Sequence, residues 1–210
     1  MVKNKDELNL KPEKKDAIIS VAQKLFGIYG LEKVSMREIA DELGLSKASL
    51  YYYFPDKESL YIAVVEKEQV EFLNGLEGLI LKIERPEEFL VEYASRRLSF
   101  FRNLLNLSRL RAEYYYSLRP AFREAFSNFR EKEREIITGI LEEGRQAGVF
   151  IEINAALVAS IYLDVLRGLR ISNVNSKANM LYISEDEYDE LLNKTVEFSR
   201  IFSRGIKKDA

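Results

Sequence analysis

Apolar residues along this chain recur at three- and four-residue intervals over long stretches, with no sustained strand-like alternation and no internal repeat. That period specifies helices throughout and an all-α fold. The first predicted helix spans Glu13–Tyr29, with Ile18, Val21, Ala22, Leu25, Phe26 and Tyr29 on one stripe and Gly30 as its stop. Ser35 opens a short second helix, where Glu38 completes a capping box and Ile39, Ala40 and Leu43 face inward. After Gly44, Ser46 caps a third helix over Lys47–Tyr53, and beyond Phe54-Pro55 Asp56 caps a long fourth helix reaching Ile83. Further helices are expected over Glu87–Leu105, Ser108–Leu118, Ala121–Ala147, Asn154–Ile171 and Glu185–Ser203, about nine in all. The polar run SNVNSKANM reads as an exposed loop, and Ser184 with Glu187 forms another capping box at the start of the last helix.

The segment VSMREIADELGLSKASLYYYF divides into helix, glycine-centred turn and helix. Small Ala40 permits close crossing, Gly44 accepts the left-handed backbone of a tight turn, Leu45 plugs the corner, and Leu50 and Phe54 anchor the second helix. On pattern alone this fits either a DNA-reading helix-turn-helix or an ordinary helical hairpin. Three consecutive tyrosines, Tyr51, Tyr52 and Tyr53, point in different directions from a helix, so they are not all core.

Composition narrows the options. The chain of 210 residues has no cysteine, histidine or tryptophan. Disulfides, thiolate or imidazole metal sites and serine- or cysteine-histidine catalysis are thereby excluded, while carboxylate chemistry stays chemically open. No enzyme activity, metal or cofactor is expected. No apolar run is long enough to span a membrane, and the opening MVKNKDELNLKPEKK lacks a signal-peptide core, so a cytoplasmic protein is expected. Net charge is −2, and residues 1–60 hold ten basic and ten acidic side chains, so a basic surface must be local. Between Gly44 and Pro55 there is a lysine and no acid.

Residues 13–60, AIISVAQKLFGIYGLEKVSMREIADELGLSKASLYYYFPDKESL with its flanks, resemble the DNA-binding domain of the tetracycline-repressor (TetR) family of bacterial transcription regulators. The spacing from Phe26-x-x-x-Gly30 through Ile39-Ala40 to Leu50-Tyr51-x-x-Phe54 and Lys57-Glu58-x-Leu60 carries the likeness. Departures are Ala48, where many members have glycine, and Leu43, where alanine is frequent. The resemblance implies a helix-turn-helix domain over 1–55, with a flexible arm over 1–11, and an effector-binding and dimerisation domain over 56–210. It implies that Lys47, Ala48, Ser49, Tyr52 and Tyr53 reach bases or adjacent phosphates, that Tyr51 and Lys57 hold the phosphate backbone, and that Arg37 reaches a base edge. The competing reading for Arg37 is pairing with Asp41 one turn on, as on any solvated helix face. Ser46 caps the recognition helix. The implied partners are double-stranded operator DNA, a small-molecule effector and a second copy of the chain. The expected function is a ligand-responsive homodimeric regulator, most often a repressor, on a palindromic operator; the alternative is a helix-turn-helix regulator controlled by a protein partner.

The C-terminal two-thirds is less explicit. Residues 155–166 are apolar almost all round, with Ala155 and Ala159 small enough for close helix approach. Tyr188, Leu191, Leu192, Thr195 and Phe202 recur at heptad-like spacing on the last helix. In the family the last two helices pair with their symmetry mates, so these seven residues are the expected dimer interface, the competing reading being that the two helices simply close the core of one protomer. Aromatic residues are dense between them, and Tyr93, Arg97, Phe100, Tyr114, Tyr115, Phe126 and Tyr162 are the candidate effector-pocket residues, with core packing as the competing role.

Overall fold

The computed structural model describes residues 5–82, 85–108, 112–174 and 184–209; within these, the side chains of 5–11, 105–108, 112–119, 121 and 174 lie outside the description. Eight helices form among the described residues: α1 (Lys5–Tyr29), α2 (Met36–Glu42), α3 (Lys47–Tyr53), α4 (Lys57–Ile80), α5 (Pro86–Ser108), α6 (Ala112–Gln146), α7 (Ala155–Val174) and α8 (Glu185–Gly205).

Local chemistry sets the boundaries of the short helices. The Ser35 hydroxyl accepts from the Glu38 amide at 3.2 Å while the Glu38 carboxylate accepts from the Ser35 amide at 2.7 Å, closing the expected capping box. Asp56 accepts from the Ser59 amide at 2.6 Å and starts α4, and the Ser184–Glu187 box starts α8. Gly44 sits at φ 63° between α2 and α3, where a β-carbon would be strained, and the Leu45 amide turns back to the Ala40 carbonyl at 2.9 Å.

Several expectations are corrected. Of the segments expected as separate helices over Ser108–Leu118 and Ala121–Ala147, the described part from Ala112 to Gln146 forms one helix, α6, with Pro120 inside it, while Ser108 ends α5. α1 begins at Lys5 rather than Glu13 and runs through Pro12, so most of the expected arm over 1–11 is helical. A proline removes one hydrogen bond from a helix but does not always end it. Residues 172–174 of the expected loop still belong to α7. Tyr29, placed on the buried stripe of α1, is exposed.

One apolar cluster runs the length of the molecule and crosses residue 55 without interruption. Phe26 of α1 meets Tyr61 of α4 edge-on at 5.8 Å, and Tyr61 meets Phe122 of α6 at 5.8 Å. Further along α4, Phe72 stacks on Phe100 of α5 at 4.7 Å and lies 5.8 Å from Phe129 of α6. α4 is therefore the joint between the three-helix head and the body. Each fully buried large apolar side chain contributes roughly 1.5–3 kcal/mol.

The body packs α5 along α8 and α6 along α7. Tyr162 of α7, fully buried, donates its hydroxyl to the Leu90 carbonyl at 2.6 Å, shares a 3.0 Å hydrogen bond with Ser199, and lies 4.8 Å from the ring of Phe202. The turn after α6 is clasped by the tail, with the Ile151 amide donating to Ile206 and the Lys208 amide to Val149, both at 2.9 Å.

The residues of the expected dimer interface already have neighbours within the protomer. Ala155, Ala159, Leu191 and Thr195 are buried inside the protomer. Leu192 and Tyr188 pack on the Leu98–Leu191 cluster, and Phe202 packs on Tyr162. The heptad-like spacing on α8 marks the face turned toward α5 and α7. The outward apolar positions are instead Leu157, Ile161 and Ile171 of α7 and Ile201 of α8.

Candidate nucleic-acid interface

The outward face of α3 is built by what holds its inward face. Leu50 is fully buried and Phe54 nearly so, which leaves Lys47, Ala48, Ser49, Tyr51 and Tyr52 exposed. Ser46 caps the helix, its Oγ accepting from the Ser49 amide at 3.1 Å. Its side chain therefore acts on α3 itself, fixing where the recognition residues begin.

The three tyrosines have distinct settings. Tyr52 is 67% exposed. Tyr53 is half-buried against the core, and the two rings meet edge-on at 5.3 Å. Tyr51 is exposed beneath the Lys47 ammonium, which lies 5.6 Å from its ring. This cation–π contact draws Lys47 along the helix toward Tyr51.

Arg37 projects into solvent from α2, 3.6 Å from Asp41, as a solvated helix face would have it. Lys57 is held by backbone carbonyls. Its ammonium donates to the carbonyls of Leu31 at 2.9 Å and Val34 at 3.0 Å, with Glu32 at 3.4 Å. Lys57 thus fastens the turn between α1 and α2 to the start of α4. In this conformation its charge serves that turn rather than pointing outward to a phosphate.

Lys14 is an addition that local sequence did not reveal. It reaches from α1 into a cleft of about 370 Å³ together with Leu45, Ala48, Ser49, Tyr52 and Tyr53. Lys15 beside it lies 5.7 Å from the Phe54 ring. The Lys14-Lys15 doublet is visible in the sequence, but only the folded arrangement brings Lys14 beside the exposed residues of α3.

Among the candidate effector residues, Tyr93, Phe100 and Tyr162 are buried and Phe126 is half-buried, all within one network of ring contacts. They serve as core. The side chains of Tyr114 and Tyr115 lie outside the described residues. Arg97 is buried in an ionic triad: Nε donates to Glu133 Oε1 at 2.7 Å, Nη2 to Oε2 at 3.3 Å, and the Tyr93 hydroxyl to Oε1 at 2.6 Å. Burial alone would depress the Arg97 guanidinium, but the Glu133 carboxylate reverses this and raises it. Burial, and then Glu133, push the Tyr93 phenol well above its usual range. Among the described residues, no acidic group clusters as a metal site, and no helix is long and apolar enough to cross a membrane.

The sequence model described as bacterial regulatory proteins, tetR family, matches residues 18–64. The regulator RutR of Escherichia coli strain K12 is 36% identical over 97 residues, covering 46% of this chain and 45% of RutR, so the match spans less than half of that relative's length. QacR of Staphylococcus aureus strain Mu50 is 25% identical over 207 residues, covering 92% of this chain and 98% of QacR. The crystal structure of a transcriptional regulator from Cytophaga hutchinsonii superposes with a TM-score of 0.85 at 36% identity, over 93% of this chain and 99% of that one.

Proposed function

The chain belongs to the tetR family of bacterial regulatory proteins, and on that premise we propose that it is an effector-responsive repressor. It binds a palindromic operator as a homodimer through α3. The observation that carries this reading is the outward face of α3, where Lys47, Ala48, Ser49, Tyr51 and Tyr52 are exposed over a fully buried Leu50. Exposed side chains of this kind on a rigidly anchored short helix fit a major groove. Lys47 donates to guanine O6 and N7 or to a flanking phosphate, and Ala48 meets a thymine methyl. Tyr51 holds a phosphate, Tyr52 reads the groove and its rim with Tyr53 bracing it, and Lys14 adds a phosphate contact from α1.

One such helix offers little affinity, so two are required, spaced about one DNA turn, roughly 34–36 Å. Leu157, Ile161, Ile171 and Ile201 supply an exposed apolar face on α7 and α8 for that pairing. An effector bound in the body shifts the population toward a state in which α4 has swung and the two heads no longer match successive grooves.

Paired variants test the assignment. In fluorescence-anisotropy titrations, Tyr51→Phe lowers affinity for operator and scrambled duplex alike, whereas Tyr52→Ala also changes the ranking among operator variants. Unchanged affinity and ranking in both variants would remove α3 from the interface.

A further inference from the structure

The groove between α5, α6 and α7 carries charge that DNA binding does not use. A cavity of about 280 Å³ opens there, with Arg130 and Arg134 of α6 facing Ser160 and Arg167 of α7, over a floor formed by Arg97 and Glu133. Four guanidinium groups and two carboxylates, Glu133 and Asp164, line it, so the wall is net positive. Glu133 is already saturated by Arg97 and Tyr93 and offers little to neutralise the rest.

Among the described residues, the rim arginines are held by partners on their own helices. Arg134 pairs with Glu131 at 2.7 Å on α6, and Arg167 pairs with Asp164 at 2.9 Å on α7. Arg130 reaches the Arg123 carbonyl of its own helix at 3.4 Å. Exposed pairs of this kind stabilise only weakly, so they exchange readily for a better anion. Guanidinium forks bind carboxylate and phosphate oxygens bidentately, and forks from two different helices favour a ligand with more than one anionic group.

The floor connects this cleft to the joint helix. Tyr93 donates to Glu133 and its ring lies 6.4 Å from Phe72 of α4, which also lies 5.8 Å from Phe129 of α6. A ligand that draws α6 toward α7 acts on residues packed against α4.

We infer that this cleft is the effector site for a small polyanion, whose carboxylate or phosphate groups bridge Arg130 and Arg134 of α6 to Arg167 of α7. Ser160 donates a hydrogen bond to the same ligand, and the bridge biases α4 through Glu133, Tyr93 and Phe72. The regulatory half of this inference rests on the repressor reading above.

The test uses citrate and inorganic pyrophosphate at fixed ionic strength, with chloride as control, on wild type and on the doubly substituted Arg134→Ala/Arg167→Ala chain. Both substitutions lie at exposed positions, and circular dichroism checks the variant's fold. One or both anions are expected to bind wild type saturably by calorimetry and to raise Tm by roughly 5–10 °C at a hundredfold excess over Kd. The double variant is expected to lose at least about tenfold in affinity, equivalent to about 1.4 kcal/mol. Preference for citrate or pyrophosphate assigns the ligand to carboxylates or phosphates. Absence of saturable binding of either anion below about 1 mM, or equal binding by wild type and variant, overturns the site. Operator titrations separate the two claims. Saturating anion should change wild-type operator affinity at least about tenfold and leave the variant unaffected. Anion binding with no change in operator affinity overturns the coupling. A wild type that binds no operator at all counts against the repressor reading while the cleft still stands.

Discussion

Neutralising Glu133 should be among the most damaging single changes available in the body of this protein. The carboxylate is almost wholly buried, as is Arg97, whose Nε and Nη2 it accepts at 2.7 and 3.3 Å, and it accepts Tyr93 at 2.6 Å. In Glu133→Gln the guanidinium stays charged and buried, left with a neutral amide oxygen, the Tyr93 hydroxyl and the Phe101 ring 4.9 Å away in place of a carboxylate. Breaking one side of a buried ion pair costs about 3–5 kcal/mol. For a chain of this size each kcal/mol moves Tm by roughly 2–4 °C, so a fall of roughly 6–20 °C is expected. Removing the triad as a unit behaves differently. Arg97→Met with Glu133→Leu removes both charges but leaves the Tyr93 hydroxyl without its acceptor, at about 1–3 kcal/mol. Adding Tyr93→Phe removes that cost as well, so the triple variant should recover most of the stability lost in Glu133→Gln. Urea denaturation followed by far-ultraviolet circular dichroism reads all three. A cost below about 1 kcal/mol for Glu133→Gln, or a triple variant no more stable than the single one, would refute the claim that an uncompensated buried charge sets the energetics here.

Lys57→Met should destabilise the protein by about 1–3 kcal/mol through the lost carbonyl contacts. It should leave the salt slope of DNA binding unchanged, whereas a phosphate contact would lower that slope by about one. Gln69 is buried on α4 and its Nε2 has no hydrogen-bond partner among the described residues, so Gln69→Leu should stabilise by about 1 kcal/mol in urea melts. The raised phenol of Tyr93 gives a pH signature. Its contribution is complete below the unfolded tyrosine value of about 10 and declines above it, because the unfolded chain then releases a proton that the folded one retains. Tyr93→Phe should flatten the alkaline limb of the stability profile by that one proton.

The head was legible in the sequence because its determinants are local. Ser35 with Glu38, the Gly44 turn and Ser46 fix helix ends within a few residues, and the alternation of buried Leu50 with exposed Tyr52 follows from helical geometry. What the sequence obscured depends on partners distant in the chain. Pro12 and Pro120 look like breaks, yet α1 and α6 run through them. The repeat from Tyr188 to Phe202 reports that one face of α8 is buried, but periodicity is silent about which surface covers it. That surface belongs to α5 and α7. The carbonyl contacts of Lys57 were hidden because its acceptors lie more than twenty residues upstream. Lys14 and the arginine cleft likewise come from helix crossings that bring separate segments together.

The central claim is that paired α3 helices read a palindromic operator. The direct measurement titrates the protein against a duplex carrying an inverted repeat from upstream of its own gene and against a scrambled duplex of equal length, at about 0.15 M salt. Mass photometry of the complex counts the protomers bound. Two protomers on the inverted repeat, with affinity at least about a thousandfold above that for the scrambled duplex, is the predicted result. Equal affinity for the two duplexes, or a single protomer bound, would contradict it.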